Sequence, residues 1–256
     1  MKKYLFVGNW KMNHTLEETR KFFEVFLEKI GEVDLSDRLI AIAPPFTSLY
    51  YASSLVKDSP IKLCAQNAHF ADRGAFTGEI SPLMLREIGV EYVIIGHSER
   101  RHIFGEKDSL IAKRVEGVYK FGLTPILCVG ETLSEREVGQ TLEVVERQIK
   151  RGLEHISELL PERLVIAYEP VWAIGTGVNA TPEQAEEVHS YLRELLKELY
   201  GERAREIRIL YGGSVTPENV NSLMSKPNID GVLVGGASLD PQKFLSIVSI
   251  RVVKEV

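Results

Sequence analysis

Eight short apolar runs, each followed by a stretch of helical hydrophobic period, divide this sequence from end to end. No other feature narrows the fold as far. The runs are Tyr4 to Asn9, Leu39 to Ala43, Ile61 to Ala65, Tyr92 to Ile95, Thr124 to Val129, Leu164 to Glu169, Ile207 to Tyr211 and Gly231 to Val234. They are apolar throughout rather than alternating, so each strand is expected to be covered on both faces, as parallel strands joined by helical crossovers are. Helix starts are marked independently of hydrophobicity. Thr15 with Glu18, Ser134 with Glu137 and Thr181-Pro182 with Gln184 read as capping boxes, while Ser81-Pro82, Thr216-Pro217 and Asp240-Pro241 put proline in a first turn. After the sixth run, Ala185, Val188, Leu192, Leu195, Leu196 and Leu199 fall on one stripe, so that helix packs one face on a sheet.

Eight such units in 256 residues give an α/β chain whose expected form is a closed (β/α)8 barrel, eight parallel strands inside an outer ring of helices. A doubly wound open sheet is the competing layout. It would normally carry a dinucleotide glycine fingerprint after its first strand, where this chain reads Gly8-Asn9-Trp10-Lys11-Met12-Asn13. No linker, low-complexity tract or shift of composition divides the chain, so residues 1–256 are read as a single domain.

A net charge of -5, with no cluster of Lys or Arg beyond pairs such as Arg100-Arg101, argues against a nucleic-acid or membrane-surface partner. The N-terminal apolar run ends at Asn9 and Lys11, too early for a secretion signal, and no segment approaches the length of a membrane span. Cys64 and Cys128 each sit in an apolar run, which suits buried reduced thiols in a cytoplasmic protein.

In such a barrel the chemistry gathers at the C-terminal ends of the strands. There stand Asn9 and Lys11 after the first run, His97, Ser98 and Glu99 after the fourth, Glu169 at the sixth, Gly212-Gly213-Ser214 after the seventh and Gly235-Gly236 after the eighth. Singly, each has a plain structural role: Lys11 a solvated amine, His97 a core histidine, Glu99 a salt-bridge partner, the glycines turns. Together they put a base, a neutral acid, a cation and an anion cradle on one rim. The glycine pairs offer backbone N–H groups where barrels hold a phosphate. A helix over Ser98-Glu99-Arg100-Arg101 would keep the His97 ring neutral through its dipole, and Lys11 supplies positive charge for a developing oxyanion. The six histidines show neither His-x-His nor His-Glu-x-x-His spacing, so no metal or other cofactor is expected.

Beyond Glu169 the chain reads Pro170-Val171-Trp172-Ala173-Ile174-Gly175-Thr176-Gly177. Pro170 fixes the backbone, Trp172 and Ile174 are unfavourable in water unless the loop folds down, and Gly175 and Gly177 bring bare N–H groups near a ligand. That is how a lid over a general base is built; an ordinary strand-end Glu beside a core-packing Trp is the alternative.

The segments Asn9 to Asn13, Ile95 to Arg101, Ala167 to Gly177, Tyr211 to Ser214 and Gly235-Gly236 resemble, in order and spacing, the signatures of the triosephosphate isomerase family, over essentially the whole chain. The resemblance implies a TIM barrel in which Glu169 moves a proton between C1 and C2 of dihydroxyacetone phosphate and D-glyceraldehyde 3-phosphate, in glycolysis and gluconeogenesis. His97 would exchange protons with the two oxygens, and Lys11 with Asn9 would stabilise the enediolate. The same resemblance gives Gly175, Ser214, Gly235 and Gly236 the phosphate, the segment Pro170 to Ala180 the closing motion, and Ser98 and Glu99 supporting places. The family is itself a standard example of a Glu base working with a neutral His. The far hinge reads Val178-Asn179-Ala180 where animal members commonly carry Lys-Thr-Ala, which bears only on closure rates.

The stretch Gln66 to Glu79 has no strand or helix pattern, yet its Phe70, Ala75, Phe76 and Thr77 call for cover. The resemblance implies that this loop inserts into a second subunit near its Lys, so that Thr77, Phe76 and Met12 become contacts of a homodimer. An Ω-loop packed on its own barrel is the alternative. Two further functional readings stay open on residues alone: another sugar-phosphate enzyme, such as a Schiff-base aldolase using Lys11, and a silent protein that retains the phosphate site.

Overall fold

The computed structural model describes residues 2–176 and 178–255. The first half of the chain runs Tyr4–Asn9 (β1), Leu16–Ile30 (α1), Arg38–Ala43 (β2), Phe46–Val56 (α2), Lys62–Ala65 (β3), Pro82–Glu87 (α3), Val90–Ile95 (β4), Ser98–His102 (α4) and Asp108–Lys120 (α5). The second half continues Thr124–Val129 (β5), Leu133–Glu137 (α6), Thr141–Gly152 (α7), Val165–Tyr168 (β6), Pro182–Tyr200 (α8), Arg208–Tyr211 (β7), Val220–Met224 (α9), Gly231–Val234 (β8) and Pro241–Val248 (α10). All the strands pair in parallel, each with its sequence neighbours, and β1 pairs with both β2 and β8 to close the barrel. This is the TIM barrel expected from the alternating runs.

Closure explains why those runs are apolar throughout. Leu5, Val7, Ala41, Cys64, Ile126, Cys128, Ala167 and Leu210 fill the inside of the barrel, while their neighbours Phe6, Ile40, Ile42, Leu127 and Ile166 face the helices. Each strand residue therefore leaves water, at roughly 1.5–3 kcal/mol per large aliphatic side chain. The helix stripes complete the outer layer: Ala185, Val188, Leu192, Leu195 and Leu196 of α8 are buried. Leu199, expected on the same stripe, is 40% exposed, and it is the next residue, Tyr200, that packs against the core at the end of α8.

The capping signals at Thr15, Ser81, Thr181 and Asp240 all cap helices. Two others need correction. The capping box before α6 is Thr132 with Glu135, not Ser134 with Glu137, so the helix starts two residues earlier; the Thr132 backbone N–H is the donor the Glu135 carboxylate satisfies. Thr216-Pro217 opens a turn, and α9 begins only at Val220, because the Asn219 side chain takes the Thr216 N–H and closes a local loop first.

His189 is fully buried in α8, with Nδ1 3.2 Å from the Asn228 carbonyl. Burial pushes its pKa down from 6.5 to about 4. Its folded pKa lies below its unfolded one, so its contribution is constant above pH 6.5. As pH falls from 6.5 towards about 4, the unfolded chain takes up a proton that the folded chain refuses, and stability is lost. The loss comes to about 3 kcal/mol across that window. Urea unfolding at pH 7 and pH 4.5 checks it: the acid loss shrinks by most of that amount in His189→Asn, and an unchanged loss in the variant refutes the assignment.

Candidate active site

The rim residues are positioned by strand ends. Asn9 is the last residue of β1, and its side-chain Oδ1 accepts the Lys11 backbone N–H at 3.1 Å. That contact holds Lys11 at φ 55, a left-handed conformation that costs a non-glycine residue about 1–3 kcal/mol. The Gln66 amide supplies a second tether, donating to the Lys11 carbonyl at 2.8 Å and to the Ala43 carbonyl at 2.9 Å. So fixed, the Lys11 Nζ reaches Glu99 Oε1 at 2.7 Å.

His97 caps α4, and its Nδ1 accepts the Glu99 backbone N–H at 3.2 Å. A nitrogen that accepts carries no proton, so the ring's single proton sits on Nε2. Nε2 lies 2.8 Å from Glu169 Oε1. Burial works to lower the His97 pKa, but the adjacent Glu169 carboxylate outweighs it and the net shift is upward. The first turn of α4 thus supplies the N–H that fixes the tautomer, but the expectation that its dipole keeps the ring neutral is opposed here: the Glu169 carboxylate raises the ring's affinity for a second proton.

Glu169 follows directly on β6 and is 1% exposed. Its backbone N–H donates to the Val129 carbonyl at 2.8 Å, which pins it to the end of β5. Oε2 accepts the Ser98 backbone N–H at 2.9 Å, whereas Oε1, despite its closeness to His97, has no well-aligned hydrogen bond. Burial raises the Glu169 pKa, and His97, the Ser98 N–H and Lys11 together bring it below its usual value, so the group is a carboxylate at neutral pH. A buried anion with one loosely held oxygen is suited to take a proton.

Asn9, Lys11 and His97 share the wall of one cavity of about 480 Å³ with Ile174, Gly175, Gly212, Gly213, Ser214, Gly235 and Gly236. Gly236 opens a short 3-10 turn, Gly236–Leu239, as the second glycine pair suggested. A Cβ on Gly212 would stand 3.0 Å from Glu169 Cγ, so a bare backbone there leaves the carboxylate its space. Glu169 itself is not part of the wall, and Ser98 and Glu99 stand behind Lys11 and His97.

From Pro170 the segment expected to act as a lid continues through a 3-10 turn over Val171–Ala173. Ala173 is buried, Thr176 Oγ1 donates to the Trp172 carbonyl at 2.8 Å, and Ile174 and Gly175 face the cavity. Gly177 lies outside the described residues. The Trp172 indole donates to Glu131 Oε1 at 3.0 Å, with the Arg136 guanidinium 4.6 Å over its ring. Glu131 is fully buried and also accepts from the Tyr168 hydroxyl, Arg136 and Thr141. Glu131 thus anchors the start of the segment after Pro170, its carbonyl also accepting the Val171 backbone N–H, and it escaped the reading of strand ends. The dipeptide Gly130-Glu131 directly after β5 was the available signal. Gln66 escaped too, because nothing local marks an amide that acts across the barrel.

Met12, Phe76 and Thr77 are not part of this cavity. Met12 is 94% exposed and Phe76 43%, and the Phe76 ring lies 4.1 Å from that of His69 within the same loop. The foot of the loop is tied to its own barrel, where Arg114 donates to the Ala68 carbonyl and pairs with Glu79. Thr77 at the tip is exposed.

Comparison with known proteins agrees with this arrangement. The triosephosphate isomerase family model matches residues 4–251. The triosephosphate isomerase of Thermodesulfovibrio yellowstonii is 52% identical over 248 residues, 97% of this chain and 99% of that protein. That of Aquifex aeolicus is 52% identical over 244 residues, 95% of this chain and 98% of its own length. The one from Carboxydothermus hydrogenoformans is 51% identical over 249 residues, 97% and 98% of the two chains. The likeness thus spans the strands and helices as well as the rim they carry, and the chain belongs to the triosephosphate isomerase family.

Proposed function

We propose that this chain, as one (β/α)8 domain over 1–256, interconverts dihydroxyacetone phosphate and D-glyceraldehyde 3-phosphate, the isomerisation of glycolysis and gluconeogenesis. One observation carries the reading: a buried carboxylate oxygen, Glu169 Oε1, without a well-aligned partner and 2.8 Å from His97 Nε2 on a Lys11-lined cavity. Glu169 turns from the Ser98 N–H towards the substrate carbon and removes a proton. The electron pair moves into the carbonyl, and the resulting enediolate oxygen is stabilised by the Lys11 ammonium and the Asn9 amide. His97 donates from Nε2 to one oxygen and accepts from the other, so that Glu169 can return its proton to the neighbouring carbon. Bare N–H groups of Gly175, Ser214, Gly235 and Gly236 hold the phosphate, and closure of the Pro170 to Ala180 segment excludes water.

The Schiff-base reading fares poorly on geometry. Lys11 is ion-paired with Glu99 at 2.7 Å, and an ammonium so held has no lone pair to offer. Exposed Met12, Phe76 and Thr77 support a homodimer through the loop Gln66 to Glu79, since a monomer gains nothing by leaving such apolar groups in water. The two free, buried thiols support a reducing, cytoplasmic setting. No helix among the described residues is long and apolar enough to cross a membrane.

One preparation tests both parts. Purified chain is expected to turn over glyceraldehyde 3-phosphate in a coupled assay, with competitive inhibition by a phosphoglycolate-like anion. Binding without turnover would leave only the silent-protein reading. In sedimentation the species should have about twice the 28.8 kDa chain mass, and a monomer at assay concentration rules out the dimer.

A further inference from the structure

Lys243 sits in the first turn of α10 and lines the same cavity as Ser214, Gly235 and Gly236. The position is electrostatically unfavourable for the helix. A cation in a first turn opposes the helix dipole, and the other first-turn feature, Asp240, already caps the Gln242 and Lys243 N–H groups. Among the described residues Lys243 has no acidic group within ion-pairing distance, whereas Lys11 is engaged by Glu99 at 2.7 Å. The same cavity is lined by Glu218, whose carboxyl is held below its usual range chiefly by the Thr216 hydroxyl and to a lesser extent by Lys243. Apart from the His97 ring, two cations, Lys11 and Lys243, therefore face three carboxylates, Glu99, Glu169 and Glu218, in and around the cavity.

We propose that Lys243 is the electrostatic guide of this site, drawing the phosphate dianion into the glycine cradle from the rim of α10. The inference rests on the isomerase reading, which supplies the dianionic substrate. Without Lys243 the cavity wall keeps one lysine, Lys11, already paired with Glu99, beside Glu218 on a chain of net charge -5, and the attraction for an approaching dianion is weakened. The residue acts on approach and binding, not on the reacting carbons. Its loss is expected in KM far more than in kcat.

The test compares wild type with Lys243→Met and Lys243→Arg. At low ionic strength Lys243→Met should lower kcat/KM for glyceraldehyde 3-phosphate about fivefold, nearly all through KM, and weaken inhibition by inorganic phosphate by a similar factor. The deficit should shrink towards parity as salt rises to about 1 M, where screening acts within ~3 Å, and Lys243→Arg should restore wild-type behaviour. Equal KM and equal phosphate inhibition in the Met variant at low salt would overturn the proposal. So would a deficit that salt does not change, since that marks a packing effect. Calorimetric titration with inorganic phosphate supplies an arm independent of turnover. If wild type binds phosphate but does not isomerise, the functional reading fails while the Met-variant comparison still decides the role of Lys243.

Discussion

Shortening Glu169 to Asp lowers kcat by about 10²- to 10³-fold and leaves KM nearly unchanged. The side chain loses one methylene, which withdraws the carboxylate from the substrate carbon by more than an ångström, and misplacement on that scale costs about 10²-fold in rate. Binding is spared because the cavity wall is made by Asn9, Lys11, His97 and the glycine segments, to which Glu169 contributes nothing. Glu169→Gln, which keeps the length and removes the base, should abolish turnover more completely while leaving the fold intact. Steady-state kinetics on the three proteins check the expectation. Turnover of the Asp variant within tenfold of wild type removes Glu169 from the role of base.

Gly130→Ala should damage both stability and rate through a residue that touches no substrate. A Cβ at Gly130 would stand 1.7 Å from the Glu169 carbonyl oxygen and 2.6 Å from its carbonyl carbon, which are backbone atoms that cannot rotate aside. Gly130 is also held by Gln148, whose Oε1 accepts its N–H at 2.7 Å, so the strain cannot be relieved by sliding β5 outward. Overpacking of this kind costs about 3 kcal/mol, which lowers the midpoint of thermal unfolding by roughly 10 °C in a chain of this size. The displaced Glu169 backbone carries its carboxylate with it, and kcat should fall about 10²-fold even in the fraction that is folded. Calorimetry and kinetics on the same variant separate the two effects. An Ala variant with unchanged melting and unchanged kcat would show that the two strand ends are not in rigid contact.

The barrel could be read from the chain because its determinants are local and repeated. Phe6 beside Leu5 and Val7, both faces apolar, states that β1 is covered twice, and eight such runs leave few ways to cover them all. The true box at Thr132 and Glu135 was missed because Ser134 and Glu137 offer the same spacing two residues later, and only packing selects between overlapping signals. The rim residues were legible for a related reason: a residue at the end of a strand, as Asn9 is, or directly after it, as Glu169 is, is fixed in space by the strand itself. Glu131, Gln66 and Lys243 were not. Their roles depend on partners 41 residues away for Trp172, 55 for Lys11, and on a cavity shared with residues of other strand ends for Lys243.

By itself the sequence determined which backbone segments become strands and helices, that the strands are buried on both faces, and which polar groups stand at strand ends, because each of these follows from residue type and short-range period. Only the tertiary structure decided that Ser98 N–H, not solvent, holds Glu169, that Glu169 Oε1 lies 2.8 Å from His97 Nε2, and that Glu131 takes the Trp172 indole N–H. Those contacts join residues from different strands, and barrel closure alone sets the distances between strands to within a hydrogen bond's tolerance.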